Sequence, residues 1–301
     1  MFRRFLLSFF ACLFSNVLFA AGFVPVVSNY SPFDYGAGLQ NWAVTQDADG
    51  LMLFGNNAGL LSFDGYTWHL TRMPSGQKVR SCMAAGRRIY VGSFQEFGYF
   101  ERDTFGRYIY HSLWKTLKSY RPHNDEIWNI VPTANGHVIF QSFCSWFDYD
   151  GRTVTAHYDG LHLPLYFFRI GSEIWAQLIN DGLYKLASGR YERLADRASL
   201  GNDDVVSAVP ASGGRVLLVT SGHGLYVFSQ GRVERFGGET NARIAAANAN
   251  RAIVTRDGTL VIGTIKDGIY GLDLSGRLRW HYNMTQRLQN NTVLGLFADR
   301  N

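Results

Sequence analysis

One unit of the sequence recurs six times, and no other feature limits the fold as tightly. Its clearest part is a short apolar run: LMLFG (51–55), RIYVG (88–92), HVIFQ (137–141), EIWAQ (173–177), VLLVT (216–220) and TLVIG (259–263). Each run ends in a small or polar residue: Gly55, Gly92, Gln141, Gln177, Thr220 and Gly263. Successive runs are 37, 49, 36, 43 and 43 residues apart. A turn precedes each one, among them Asp49-Gly50, Asn135-Gly136 and Asp257-Gly258, and such dipeptides supply the positive φ angles of tight hairpins. A third run follows closely, as in GLLSF (59–63), GLYKL (182–186), GLYVF (224–228) and GIYGL (268–272). A fourth, as in YTWHL, RYERL and RLRWHY, alternates apolar and polar side chains, as a strand with one wet face does.

Four short antiparallel strands repeating every 40 or so residues define a blade of a β-propeller. A β-sandwich does not repeat one four-strand unit six times. The fold expected is therefore all-β, a propeller of six full blades plus the first strand of a seventh, in an incomplete ring. The blades fall near 39–70, 78–113, 126–159, 164–196, 204–237 and 248–283. Frequent Gly, 32 residues against 7 Pro, suits such a turn-rich chain.

LQNNTVLGLFADRN (288–301) then reads as a further first strand, with Asn290–Asp299 matched to Gln40–Asp49. The reading predicts that 290–301 is poorly anchored or borrows a place against blade one or blade six. It also predicts that the chain is the front part of a longer protein.

Residues 1–21 stand apart. Arg3 and Arg4 precede an apolar run from Phe5 to Ala20, and Ala20-Ala21 offers small residues for cleavage. This is the pattern of a secretory signal peptide, and the run is short for a membrane span, which takes about 20 apolar residues. A lead-in, 22–38, would connect it to the propeller. Removing Arg3 and Arg4 lowers the formal charge from +5 to +3. With no cluster of Lys and Arg, that excess does not point to nucleic acid. Export would leave Cys82 and Cys144 in the mature chain, both in apolar strand-like context, which suits buried free thiols, with a disulfide left open in an oxidising compartment.

Several segments resemble a known family. The pattern D-x-x-G-x-L-W-I-G-T-x-x-G-L-Y marks propeller repeats in the exported sensor regions of Bacteroidetes two-component and one-component regulators. RDGTLVIGTIKDGIY (256–270) is similar to it, with Val261 where Trp is usual, and EIWAQLINDGLY (173–184) keeps the Trp. NYSPFDYGAGLQNW (29–42), FGNNAGLLSFDGYTW (54–68), FQEFGYFERD (94–103), HNDEIWNI (123–130) and LQNNTVLGLFADR (288–300) resemble one subgroup. The resemblance implies a periplasmic sensing propeller. It also implies a following triple-tyrosine β-sandwich, a membrane helix, and a cytoplasmic LuxR-type helix-turn-helix or histidine kinase. None of those later parts occurs in this sequence.

No residue pattern points to catalysis or to a cofactor; an exported propeller enzyme acting on glycans and a protein-interaction scaffold are the alternatives to a sensor. Ser62-Phe-Asp-Gly-Tyr-Thr-Trp68 is similar to the Asp-box of sialidase propellers but lacks its spacer. Asp47-Ala-Asp49-Gly50 lacks the Glu that a calcium loop needs at its twelfth position, where Ala58 stands. The eight His are scattered, so no metal site is expected. Asp203-Asp204 are strand neighbours and point to opposite faces.

Two stretches are richer. Phe94, Gln95, Glu96 and Phe97 follow the second strand of blade two. His123, Asn124, Asp125 and Glu126 lead into blade three. Rings for stacking beside amides and carboxylates for orientation suit a sugar or peptide, with blade-to-blade packing as the competing role. These eight residues are the candidate ligand site. The expected partner is a small molecule of unspecified identity, an oligosaccharide among the options, and homodimerisation is left open. Trp42, Trp128 and Trp175 are assigned to the core.

Overall fold

The computed structural model describes residues 26–300; the signal peptide expected over 1–21 lies outside the described residues. Six four-stranded antiparallel sheets follow one another, each with its strands in chain order. Blade one comprises β1 (Asn41–Gln46), β2 (Met52–Asn56), β3 (Gly59–Phe63) and β4 (Trp68–Thr71). Blade two has β5 (Ser81–Ala85), β6 (Arg88–Ser93), β7 (Glu96–Arg102) and β8 (Tyr108–Ser112). In blade three these are β9 (Asn129–Pro132), β10 (Val138–Gln141), β11 (Ser145–Tyr149) and β12 (Val154–Tyr158). Blade four runs through β13 (Pro164–Ile170), β14 (Glu173–Leu178), β15 (Leu183–Ala187) and β16 (Arg190–Ala195). Blade five holds β17 (Val205–Pro210), β18 (Val216–Thr220), β19 (Gly224–Ser229) and β20 (Arg232–Arg235). Blade six is β21 (Ala249–Val254), β22 (Leu260–Thr264), β23 (Ile269–Leu272) and β24 (Leu278–Tyr282).

The repeat explains the burial. Second strands such as β18 and β22 are buried at every residue, because a blade covers each of their faces. Outer strands such as β4 and β8 are wet on one face. There is no single core. Five apolar clusters sit between successive blades, so each of blades two to five is one wall of two cores. Leu53, Val79, Cys82, Ile89, Val91 and Phe100 join blades one and two. Phe97, Ile127, Phe140 and Phe147 join two and three. Val219, Ile244, Ile262 and Tyr270 join five and six.

In blades one and three the hairpin between the third and fourth strands is closed by its own aspartate. Asp64 accepts from the backbone N–H groups of Tyr66 at 2.8 Å and Thr67 at 2.6 Å. The Asp-box-like segment is thus a turn. Asp150 does the same with Arg152 and Thr153, both at 2.7 Å, and Gly151 takes φ +98°, which suits a residue without Cβ. Asp47, in the calcium-like tetrad, accepts from the N–H groups of Asp49 at 3.0 Å and Leu51 at 2.9 Å, again as a hairpin cap.

Two elements are additions to the sequence reading. A short helix α1 (Pro32–Tyr35) sets Tyr35 against Trp68 of blade one. A longer one, α2 (Glu239–Ala247), packs Ile244 between blades five and six. Within α2 the buried Asn241 accepts from the N–H of Leu225 and donates to the carbonyl of Phe236, both at 2.6 Å. Cys82 and Cys144 are free thiols, and burial pushes the Cys82 thiol up to about 12.

Residues 290–300 form no ladder, yet they take the place of an inner strand between blades six and one. Val293 N–H donates to the carbonyl of Thr264 at 2.8 Å, and Asn250 Nδ2 donates to the carbonyl of Val293 at 2.7 Å. On the other side Arg300 N–H reaches Gln46 Oε1 at 2.9 Å, and Gly295 lies against the backbone of Trp42. The segment thus rests on both neighbours. Its register differs by two residues from the expected match. Val293 bonds to Thr264 as Val79 bonds to Asn56 and Ile127 to Ser93. Leu294 therefore stands where Arg80 and Trp128 stand.

The small residue closing each second strand has a steric cause. A Cβ on Gly92 would lie 2.6 Å from Ile127 Cβ, whereas one on Gly237 would meet nothing within 4 Å. We expect Gly92→Ala to cost roughly 1–3 kcal/mol by overpacking and Gly237→Ala to be near neutral, as read by urea unfolding; equal losses would contradict the steric account. A second expectation concerns pH. Burial alone would raise the Asp203 carboxyl, but hydrogen bonds from Ser221, Gly222 and Asp204 outweigh it and hold the pKa at about 2. Because the folded value is depressed below an unfolded value of about 3.9, the carboxylate stabilises the fold fully above pH ~4. That contribution, about 2 kcal/mol, is lost as the pH falls from there towards 2. Asp203→Asn should therefore flatten the acid limb of a pH–stability curve.

Candidate functional site

The two candidate stretches do meet. Gln95 N–H donates to the carbonyl of Asp125 at 2.7 Å, and Ile127 N–H to that of Ser93 at 2.9 Å. Phe94 pairs with Glu126 as an isolated antiparallel bridge. Gln95 and Asn124 sit at φ +47° and +61°, in tight bends.

Their side chains divide by role. Phe97 is fully buried between blades two and three and meets Phe140 and Phe147. Asp125 is fully buried too, accepting from Tyr120 Oη at 2.7 Å, Ser142 Oγ at 2.6 Å and the His123 N–H at 2.9 Å. Glu96 accepts from Tyr110 Oη at 2.9 Å and Ser112 Oγ at 2.7 Å, towards the outer strand. His123 stacks on Tyr158 at 3.8 Å, also outward. These four serve blade packing. Phe94, 43% exposed, and Glu126 face the other way, towards the inner strands.

There they adjoin a cluster that the sequence reading missed. Trp42, Arg80 and Trp128 hold equivalent positions, one residue ahead of those that pair with Gly55, Gly92 and Gln141. In blade one this residue is a β-bulge, between the pairs Asn41–Asn56 and Ala43–Gly55, and bulges re-aim side chains. The Arg80 guanidinium carbon lies 3.4 Å from the centroid of the Trp42 ring and 3.6 Å from that of Trp128. A cation is thus clasped between two indoles from the blades on either side. Trp42 Nε1 donates to Asn57 Oδ1 at 2.7 Å, and Trp128 packs on Phe143, so both rings are held in place. Trp175 is in the core as assigned, but Trp42 and Trp128 are half-buried platforms. Nearby, Arg251 of blade six lies over Tyr166 of blade four. Side chains of non-adjacent blades can meet only across the axis of a ring, so the cluster lies at the mouth of the central channel.

The site's electrostatics are unbalanced. Glu126 Oε1 lies 2.7 Å from Lys78 Nζ and 3.7 Å from Arg80 Nε. The first is an ion pair, though not a well-directed hydrogen bond; the second is too long for one. Three cations, Lys78, Arg80 and Arg251, face this one carboxylate. Arg80 is only 7% exposed, and its Nε and Nη1 have no partner among the described residues. Burial lowers its pKa, with Glu126 opposing and the Arg251 charge adding to the fall. Cation–π contacts on both faces hold the ion here, each contributing up to about 2 kcal/mol when desolvated. They do nothing for its in-plane donors.

No group of three or more His, Cys, Asp or Glu able to hold a metal ion occurs among the described residues. Nor is any helix among them long and apolar enough to cross a membrane.

The fold and this axial mouth define a β-propeller. No protein-family model matches the chain, and no curated protein sequence matches it. Solved structures do. The extracellular domain of the putative one component system BT4673 from B. thetaiotaomicron is 19% identical with a TM-score of 0.66, over 88% of this chain and 36% of that one. The chain thus spans about a third of that domain's length. Streptogramin B lyase is 11% identical with a TM-score of 0.63, over 83% of this chain and 84% of its own. PorZ, a surface component of the type-IX secretion system of Porphyromonas gingivalis, is 14% identical with a TM-score of 0.63, over 91% and 45%. At these identities the likeness is one of fold.

A buried cation with orphaned donors costs stability, and replacing it by an apolar residue of similar length is often neutral or stabilising. We therefore expect Arg80→Met to lose no more than about 1 kcal/mol in chemical unfolding. A loss of several kcal/mol would make Arg80 a structural cation.

Proposed function

We propose that the chain is the exported, ligand-sensing propeller of a membrane-spanning transcriptional regulator. The observation that carries this reading is the cluster at the channel mouth. Rigid aromatic platforms and unpaired polar atoms converge there from several blades, which is how a small-molecule site is built. The sequence resemblance over 29–68, 94–103, 123–130 and 288–300 supports the same reading, as does a fold like that of the BT4673 extracellular domain.

In this reading residues 1–21 direct export and the propeller lies in the periplasm. Trp42, Arg80 and Trp128 receive the ligand, with Phe94, Gln95 and Glu126 on the rim. The propeller binds its ligand without transforming it. Binding alters signalling only to the extent that affinity differs between two states of the regulator. The signalling and output domains, a β-sandwich, a membrane helix and a helix-turn-helix or kinase, would follow in the parent protein.

Thermal unfolding of the full chain against neutral and acidic oligosaccharides, amino acids and short peptides tests the proposal. At 100 times its Kd a ligand adds about 2.7 kcal/mol, so at least one class should raise the melting temperature by several degrees. Truncating Trp42 and Trp128 together to Ala should abolish the rise. A panel without any shift, or a shift that survives the double truncation, would sink the reading.

A further inference from the structure

The described residues contain five buried side-chain N or O atoms without a hydrogen-bond partner, and four belong to Gln77, Arg80 and Glu126. The fifth, Tyr191 Oη, is on blade four. Elsewhere the buried polar side chains along the blade junctions are well bonded. Gln141 Nε2 donates to the carbonyls of Pro164 and Leu165, and its Oε1 accepts from the N–H of Phe167. Gln177 links Leu178, Asp204 and Val205 in the same way. Buried polar groups are almost always paired, so an unpaired group asks for an explanation. Here the shortage has a location. It centres on the channel mouth, where Nε and Nη1 of one guanidinium and Oε1 of Glu126 go unpaired.

We infer that this mouth recognises a carboxylate, and that the ligand of the sensing propeller is an acidic small molecule held by Arg80. The inference rests on the sensing proposal and adds the ligand's chemistry to it. Both faces of the Arg80 guanidinium are covered by Trp42 and Trp128, so a new partner can meet it only in its plane. A planar carboxylate matches an edge of that fork, Nη2 with either Nη1 or Nε, through two parallel hydrogen bonds. Glu126 does not fill the role, because its close partner is Lys78. Lys78 and Arg251 add the positive potential that draws an anion into a narrow mouth. The indoles flanking Arg80, with Phe94 on the rim, offer flat apolar surface beside the carboxylate site. Such a surface suits the face of a sugar ring, so a uronate would use both halves of the site. A small dicarboxylate would use only the cationic half.

Calorimetric titration of the full chain with trigalacturonate, maltotriose and succinate separates these cases. Trigalacturonate or succinate should bind the native protein, more weakly as salt rises. Arg80→Met should weaken that binding roughly 10- to 100-fold, while Arg232→Gln on the outer strand of blade five leaves it unchanged. Binding of trigalacturonate alone identifies an acidic sugar; equal binding of succinate identifies the carboxylate as sufficient. Arg80→Lys keeps the charge but not the planar edge, and it should bind as weakly as Arg80→Met. Binding of maltotriose without either acid would overturn the acidic ligand and leave the sensing proposal standing. So would acid binding that Arg80→Met does not reduce. Absence of binding by all three probes would overturn the inference too, and the wider unfolding panel then decides the sensing proposal separately.

Discussion

Everything in this ring depends on how closely one blade approaches the next at the end of its second strand. At Gly55 a Cβ would lie 3.0 Å from the carbonyl oxygen of Val79, and at Gly263 it would lie 2.8 Å from Val293 Cβ. Gly92 and Ile127 repeat the contact. Where the closing residue is a glutamine it bonds across the gap, as Gln141 and Gln177 do, whereas Thr220 bonds within its own blade to the carbonyl of Gly224. At these five junctions the lead-in that follows is pinned to the previous blade by short-range sterics or by hydrogen bonds. The apolar clusters then follow, since two pinned sheets must fill the wedge between them.

Pinning has a second effect, on the axis. The residue just beyond each contact begins the inner strand, so its side chain is delivered to the channel mouth. Trp42, Arg80, Trp128 and Leu294 occupy this position, and in blade six Asn250 holds it and bonds to the carbonyl of Val293. The same contact positions residues 290–300. Val293 meets Gly263 and Thr264 as Val79 meets Gly55 and Asn56, and the segment fills the place between blades six and one.

Legibility in the sequence followed the same division. The second strands, their small or polar ends, and the turns before them are local features with a fixed period, and all six blades could be read from them. The meeting of 94–97 with 123–126 was legible only as shared composition. What each side chain does there depended on which way it faces. Phe97 and Asp125 went to packing, and Phe94 and Glu126 to the axis, by alternation along a strand. Trp42 and Trp128 read as core in the sequence, because a tryptophan beside an inner strand is core in most contexts. Arg80 was invisible because QKVRS (77–81) shows no motif; its meaning comes from side chains 38 residues before it and 48 residues after it. A signal did exist, in the register of the repeats. Aligning the residue one place before each inner-strand pairing sets the three side chains in one column. The two-residue offset at 290–300 arose for the same reason: apolar alternation sets the face of a strand but not its register, and the hydrogen bonds to Thr264 do.

The contrast between the blade junctions and the axis is what gives the site its meaning. Folding has satisfied the buried amides of Gln141, Gln177 and Asn241 and the carboxylate of Asp125 with several bonds each. The same fold leaves Arg80 in a place where burial lowers its pKa and its donors go unpaired. An apolar residue could fill the gap between two indoles without that cost. Beyond its cation–π contacts with the two indoles, a guanidinium there brings what a methionine lacks, in-plane donors that the fold leaves unpaired. The propeller supplies rigidity and the two rings supply orientation. The charge is then preorganised for a partner that arrives after the fold is complete.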